Sequence, residues 1–243
     1  MPTRVAAVLG VSLLLGGCGY RYYTGPLLPA AEQTHPGAAA QEGAVVSQAG
    51  GLKVSLRPMA DEELNRQFFD SSQGGVESTN PYTFGDTEFW GNSQRRSRFT
   101  VFRLQVHNDG YPKVMVDPAR IVLRTTKGRE YWSLSFEQLD AYYRAYATGY
   151  RGNEYARYQS RRDLLRRTLF SAEEIFSGEE KDGYVVFPLL HADVSAVEAR
   201  IHDVVLRFDY RNEPVEAADL VYRFTRDIGR IYEDGRVVVT SGG

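Results

Sequence analysis

The chain has 243 residues, a single cysteine and a nearly balanced charge, with 29 basic and 31 acidic side chains and a formal net charge of −2. Nucleic-acid-binding domains carry an excess of Lys and Arg, so the composition predicts no nucleic-acid partner. One cysteine cannot form an internal disulfide, and the fold must therefore be stabilised by its hydrophobic core. The length suffices for one ordinary domain, or for one domain with an insertion.

The amino terminus has the pattern of a secretory signal peptide. Arg4 supplies a positive charge, and Val5 to Leu15 form an apolar run that leads to small residues. A helix that crosses the ~30 Å hydrocarbon layer needs about 20 apolar residues, whereas only 17 residues precede Cys18. The pattern therefore predicts that residues 1–17 are a signal peptide that is removed.

The stretch Leu15-Gly16-Gly17-Cys18 resembles the lipobox of bacterial lipoproteins, in which Leu and two small residues precede the acylated cysteine. The resemblance implies cleavage between Gly17 and Cys18, a diacylglyceryl group on the Cys18 thiol and a fatty acyl chain, such as palmitate, on the new amino terminus. Two or three chains on one residue anchor a protein stably, since each buried CH₂ contributes about 0.8 kcal/mol. The alternative is an ordinary signal peptide with an incidental cysteine.

Gly19 follows the cysteine, whereas an Asp there would resemble the inner-membrane retention signal of Gram-negative lipoproteins. The resemblance therefore implies an outer-membrane location facing the periplasm if the cell has an outer membrane.

Residues 18–50 are predicted to be the lipidated cysteine and a flexible tether. Tyr20-Arg21-Tyr22-Tyr23 suits a membrane interface, because Tyr and Arg combine an apolar body with a polar end; a solvated tail is the alternative. Gly25 to Gly51 is rich in Pro, Ala, Gly and Gln and has no apolar periodicity. A flexible segment of ~30 residues reaches about 30 Å, so residues 51–243 are predicted to form a domain held clear of the headgroups.

The first half of that domain shows the period of half-buried strands. Leu52 to Leu56 alternates between apolar and polar residues, and a short helix is predicted over Asp61 to Phe69. The range Phe99 to Leu123 predicts two strands, with one apolar and one polar face. Asn108-Asp109-Gly110 tolerates positive φ, and we predict that it joins the two strands as an antiparallel hairpin.

The middle of the chain changes to a helical period, from about residue 135 to residue 170. Ser135 and Gln138 fit a capping box, and a second helix is predicted from Asn153 to Phe170. Seven arginines lie between Arg144 and Arg167 against two acids, and the run from Glu173 to Asp182 is acidic.

Two interpretations of this charge pattern stay open. In the first, the segment is a solvated helical hairpin with surface Arg–Glu pairs, each of which contributes little. In the second, the arginines and tyrosines bind an anionic partner, such as a lipid headgroup, a cell-wall polymer or an acidic protein. The residues predicted to bind it are Arg157, Arg161, Arg162, Arg166, Arg167, Tyr155 and Tyr158.

The strand period returns after Gly183. Apolar and polar residues alternate over Val204 to Tyr210 and over Leu220 to Phe224, and Asp234-Gly235 is a two-residue hairpin signal. About seven strands with one apolar face predict a mainly β fold, an antiparallel sandwich with a helical insertion. From Phe99 to Phe224 the order of motifs is similar to that of uncharacterised bacterial lipoproteins with an immunoglobulin-like domain, which implies a role in binding or supporting other envelope proteins.

Sequence motifs of common catalytic sites are absent from the mature chain. It contains no G-x-S-x-G, H-E-x-x-H or G-x-x-x-x-G-K motif, and its four histidines have no ligand spacing. We therefore predict no catalytic residue, no metal site and no cofactor. The predicted function is that of a lipid-anchored, non-enzymatic envelope protein whose partners are the membrane, through Cys18, and another envelope protein; the alternative is a module that binds an anionic envelope ligand.

Overall fold

The computed structural model describes residues 20–87, 97–150, 154–232 and 234–240. In these ranges the chain forms fifteen strands, four helices and two short 3₁₀ turns. The strands β1 to β15 are, in chain order, Tyr20–Thr24, Leu28–Pro29, Ala38–Gln41, Ala44–Ala49, Leu52–Met59, Thr100–Asn108, Lys113–Met115, Ile121–Thr125, Glu130–Trp132, Glu174–Phe176, Glu179–Phe187, Ala196–Phe208, Pro214–Thr225, Ile228–Tyr232 and Val237–Thr240. The helices α1 to α4 are Asp61–Gln67, Phe69–Ser72, Phe136–Tyr150 and Glu154–Thr168, and the 3₁₀ turns are Gly75–Glu77 and Pro118–Arg120.

Two antiparallel sheets face each other. The five-stranded sheet has the order β11-β6-β5-β4-β3, and the seven-stranded sheet has the order β10-β7-β12-β13-β2, with β8 paired to β12 and β9 paired to β8. A third, small sheet has the order β1-β14-β15. The period-2 alternation of the strands places one side of each large sheet in the interior.

The main hydrophobic core fills the space between the two large sheets. The Phe102 ring lies 5.7 Å from the Phe187 ring and 5.1 Å from the Phe224 ring of the opposite sheet. The Tyr222 hydroxyl donates a hydrogen bond of 3.0 Å to the Val54 carbonyl across the same interface. Full burial of a large apolar side chain stabilises the fold by about 1.5–3 kcal/mol. The predicted mainly β class and antiparallel sandwich are therefore confirmed.

The expected hairpin at Asn108-Asp109-Gly110 is wrong, because the chain crosses between the sheets at this point. Strand β6 has β5 on one edge and β11 on the other, so β7 pairs with β10 and β12 in the opposite sheet. The Asn108 side chain directs the crossing: its amide donates to the carbonyls of Tyr111 and Ile175, at 2.9 and 3.0 Å. The sequence marks the turn correctly, but it does not show that both edges of β6 are occupied.

The expected flexible tether over residues 18–50 is also wrong, since β1 to β4 lie within it. Strand β4 pairs with β5 from Val45 to Ala49, and Val45 is fully buried in the main core. Glu42 and Gly43 join β3 to β4 with φ values of 48° and 82°, as a type I′ turn requires. The small residues around β3 and β4 hide their strand character. Pairing of β4 with β5, of β2 with β13 and of β1 with β14 supplies the hydrogen bonds that define these strands.

The predicted helical insertion is confirmed as α3 and α4. The Ser135 backbone N–H donates to the Gln138 side chain at 2.9 Å, and the Gln138 N–H donates to the Ser135 hydroxyl at 3.3 Å, as in the predicted capping box. The two helices pack with α1 on the outer side of the five-stranded sheet and form a second core. Its members are Met59, Leu64, Tyr82, Phe99, Val101, Leu139, Tyr143, Tyr158, Leu165, Tyr184 and Val186.

The predicted hairpin at Asp234-Gly235 is confirmed, because β14 and β15 pair as antiparallel neighbours on either side of it. Most of the acidic run from Glu173 to Asp182 belongs to β10 and β11, so the strands return before Gly183 and not after it. No helix in the described part of the chain is long and apolar enough to cross a membrane.

Candidate functional site

The outer face of the five-stranded sheet is covered by helices at one end and open at the other. The covered end contains Val101, Tyr184 and Val186, which pack against α1, α3 and α4. The open end forms a groove of about 790 Å³. Its lining residues are Gln41, Glu42, Ala44, Val46, Lys53, Ser55, Arg57, Gln105, His107 and Glu180. We call this the sheet groove.

The sheet groove carries charges of both signs. At its helical end, Arg57 donates to the Glu63 carboxylate of α1 at 2.6 Å. At its other end, His107 Nε2 lies 2.8 Å from Asp109 Oδ2, and His107 Nδ1 lies 3.9 Å from Glu180 Oε2. The buried Nδ1 atom makes no hydrogen bond with the described residues. The groove therefore offers both donors and acceptors to a polar partner.

Sequence reasoning did not find the sheet groove. Its signal is present: Lys53, Ser55 and Arg57 occupy alternate positions of β5, and Gln105 and His107 do so on β6. Because Ser55 and Gln105 are direct cross-strand partners, these side chains share one face. The alternation identifies the outer face of each strand, but only the pairing of β5 with β6 places the two sets together.

Two of the seven residues predicted to bind an anionic partner are buried inside the helical insertion. Arg161 is 1% exposed and Tyr158 is 4% exposed. The Arg161 guanidinium donates to the Ser78 carbonyl at 2.6 Å and to Glu154 at 3.4 Å. Burial lowers the pKa of Arg161, and the nearby charge of Arg98 lowers it further. These two side chains therefore hold α4 in place and do not belong to an exposed binding surface.

Two more predicted residues are half-buried in ion pairs of the insertion. Arg157 pairs with Glu154 of its own helix, and with Glu77 at 2.5 Å. Arg162 Nε lies 3.0 Å from Asp140 Oδ1 on α3. Partly buried ion pairs of this kind fix the position of α4 against its neighbours. The charges of Arg157 and Arg162 are therefore already neutralised inside the protein and are not available to an anionic partner.

The remaining predicted residues are exposed on α4. Tyr155 is 66% exposed, and the Arg166 guanidinium lies 5.3 Å from the centre of the Phe136 ring. Arg167 Nε donates to the Asp163 carbonyl at 3.3 Å. Of the predicted set, Tyr155, Arg166 and Arg167 are thus the residues available to an external anion.

The acidic run does not neutralise the arginines of the insertion. Glu173 pairs with Lys181 at 2.6 Å, and Glu174 pairs with Lys113 at 2.7 Å. Asp182 pairs with Arg103 on the neighbouring strand β6, also at 2.6 Å. The arginines of the insertion pair instead with Asp140, Glu154 and Glu77. The basic residues of the insertion and the acidic run from Glu173 to Asp182 are therefore neutralised by different partners.

Asp140 is the acidic centre of the insertion, and its substitution gives a testable prediction. Burial would raise the pKa of Asp140, but hydrogen bonds from Tyr158 and Arg144, together with the charge of Arg162, lower it overall. We expect Asp140→Asn to lower the free energy of unfolding by about 1.5–3 kcal/mol at neutral pH, the range for hydrogen bonds to a charged group.

The sign of the pH dependence follows from the lowered pKa. Stability from Asp140 is present above its unfolded pKa of about 3.9 and is lost as the pH falls through the lower folded pKa. In urea unfolding, the difference between Asp140→Asn and the natural chain should therefore shrink below about pH 4. Asp163→Asn, at an exposed position of α4, is the matched control. A difference that is equally large at low pH would contradict this role for the carboxylate.

The predicted lipidation and cleavage site, Gly17 and Cys18, lies outside the described residues, as does the signal peptide. Among the residues that the structure does describe, no group of three or more His, Cys, Asp or Glu side chains is arranged to hold a metal ion.

Together these features define an antiparallel β-sandwich with a helical cap and an open polar groove. No family model matches the chain, and no curated protein matches it. Among solved structures, the yjhA protein of Bacillus subtilis matches 72% of this chain and 93% of its own, with 9% identity and a TM-score of 0.37. The secreted protein MPT63 of Mycobacterium tuberculosis matches 64% of this chain and 82% of its own, with 10% identity and a TM-score of 0.29.

Proposed function

We propose that this protein is a lipid-anchored, non-enzymatic protein of the cell envelope that binds a polar segment of another envelope protein in the sheet groove. The observation that carries the proposal is the groove itself. It is an open, polar surface of both charges, and α1, α3 and α4 cover the same face of the sheet at one end. The lipobox supports the anchor and the compartment.

The character of the groove favours a protein partner over a small molecule. Sites for small molecules are mostly apolar and enclose most of the ligand surface. This groove lies open along a sheet and is lined mainly by charged and amide side chains. Charges of both signs give specificity and orientation to a protein contact. A peptide segment with its own acidic and basic residues would meet Lys53 and Arg57 on the central strand β5, with Glu42 and Glu180 towards opposite edges of the sheet.

Photo-crosslinking in intact cells tests this proposal. A photoreactive amino acid replaces Gln105 or Lys53 inside the groove, and, as the control, Arg124, which is exposed on β8 of the other large sheet. We expect the two groove positions to give the same crosslinked envelope protein and Arg124 to give none. Equal crosslinking from Arg124, or no product from either groove position, would contradict the proposal. In the matched charge variant, Lys53→Glu, the yield from Gln105 should fall.

A second candidate function is the binding of an anionic envelope component by the exposed part of α4. The observation that favours it is the exposure of Tyr155, Arg166 and Arg167 on one helix. Contacts between exposed charges are screened within about 8 Å at physiological ionic strength, so such binding should weaken steeply with added salt. Binding through the sheet groove depends less on salt, because the groove carries both charges.

A further inference from the structure

The first and the last two strands of the described residues meet in the small sheet formed by β1, β14 and β15. Strand β1 pairs with β14 in register from Tyr20–Tyr232 to Thr24–Ile228, and β15 covers the other edge of β14. Short connections from β1 to β2 and from β13 to β14 link the small sheet to the sandwich. A hydrogen bond of 2.8 Å from the Gly25 N–H to the Asp227 carbonyl joins these two connections. It is therefore a fixed part of the domain, at one end of it.

Both faces of the small sheet expose apolar side chains. Val238 shares a face with Arg230 and with Tyr22, which is 58% exposed. Val237 and Val239 lie on the opposite face and are 46% and 45% exposed. None of the described side chains in these three strands belongs to either hydrophobic core. Antiparallel sheets normally bury one apolar face, and a small sheet needs such packing for stability.

The position of the anchor decides what covers this surface. Cys18 precedes Tyr20 by two residues, and an extended chain spans at most ~3.6 Å per residue. If Cys18 carries acyl chains, β1 begins within about 7 Å of the lipidated residue, which is the thickness of one headgroup layer. A chain this short cannot hold the small sheet away from the bilayer.

We infer that the small sheet lies in the headgroup layer of the membrane that holds Cys18, and that phospholipid covers its exposed Tyr and Val side chains. The surface has the composition of a membrane interface, with tyrosines whose rings combine apolar and polar parts, aliphatic side chains, and arginines at positions 21, 230 and 236. This inference rests on the proposed lipid anchor. It means that the sandwich stands directly on the membrane, and that the sheet groove is held at a set height and orientation.

The lone cysteine makes a direct test possible. In the acylated full chain the Cys18 thiol is blocked, so a thiol-reactive fluorophore attaches only to a newly introduced cysteine. The test position is Val238→Cys in the small sheet. The matched control is Val215→Cys, at a valine that is 55% exposed. Val215 lies ten residues before Thr225, the end of β13 that adjoins the small sheet. At the rise of a strand, this places Val215 about 33 Å from that end.

Both labelled proteins are reconstituted in vesicles of phosphatidylethanolamine with a minority of phosphatidylglycerol, with and without a lipid-borne quencher at headgroup depth. We expect the Val238→Cys label to shift to the blue and to lose most of its fluorescence to the quencher, and the Val215→Cys label to remain unchanged.

The outcomes separate this inference from the proposed anchor. Chains that float with the vesicles while neither label is quenched would overturn the membrane contact and leave the anchor intact. Chains that do not float would overturn the anchor and the contact together. Shielding of the Val238→Cys label that depends on protein concentration, and not on the quencher, would show that a second copy covers the sheet, which also overturns the inference.

Discussion

Replacing Arg161 with methionine is expected to lower the free energy of unfolding by about 3 kcal/mol, the low end of the range for breaking a buried ion pair. Methionine keeps much of the length and apolar volume of the side chain, but it leaves the Ser78 carbonyl without its 2.6 Å donor. Glu154, which is 7% exposed, would keep Arg157 as a partner. This remaining neutralisation places the expected loss at the low end.

The measurement is urea unfolding of the natural chain and of Arg161→Met. Arg167→Met on the same helix is the matched control, because Arg167 is exposed and substitutions at such sites change stability by less than about 0.5 kcal/mol. Equal stability of Arg161→Met and Arg167→Met would contradict the structural role assigned to Arg161.

The substitution Cys18→Ser should abolish incorporation of labelled palmitate and remove the acyl anchor. Two or three acyl chains bind a bilayer far more tightly than a small protein surface, since each buried CH₂ contributes about 0.8 kcal/mol. We therefore expect nearly all of any chain that has lost both the acyl chains and the signal segment to move from the membrane fraction to the soluble fraction of the envelope. The remaining contact of the small sheet would give weak, reversible binding.

An uncleaved signal segment would itself hold the chain in a membrane, so a second variant is needed. In this variant the mature chain starts at Gly19 behind an ordinary cleavable signal peptide. Tight membrane association of this form, or palmitate labelling of Cys18→Ser, would contradict the lipoprotein proposal. Ser160→Ala, a substitution of comparable size at an exposed position of α4, should leave both labelling and fractionation unchanged.

Local patterns predicted most of the secondary structure. The alternation in Phe102, Leu104 and Val106 marks the buried face of β6, and all three side chains belong to the main core. The capping box at Ser135 and the turn at Asp234-Gly235 depend on neighbours in sequence, and both are formed as expected. These signals succeed because their physical cause, a hydrogen bond or a backbone conformation, lies within a few residues.

The candidate site could be predicted only in part. The charge pattern singled out the arginines of α4, yet Arg161 is the most deeply buried of them, because it reaches the carbonyl of Ser78, 83 residues away in the chain, as well as Glu154 of its own helix. The sheet groove needs β3, β4, β5, β6 and β11 to pair in one order, and it needs the helices to pack on only one end of the outer face. Neither condition has a local signature.

The sequence by itself determined the signal peptide pattern, the resemblance of Leu15-Gly16-Gly17-Cys18 to a lipobox, the strand and helix periods, and the mainly β class with a helical insertion. Tertiary structure alone decided which sheet each strand joins, which arginines are buried, and that residues 20–49 contain the four strands β1 to β4. It also brought Tyr20 and Tyr232 together, at opposite ends of the chain. The physical reason is that pairing and burial depend on contacts between distant segments, whereas a sequence pattern records only the preferences of each segment for its own conformation.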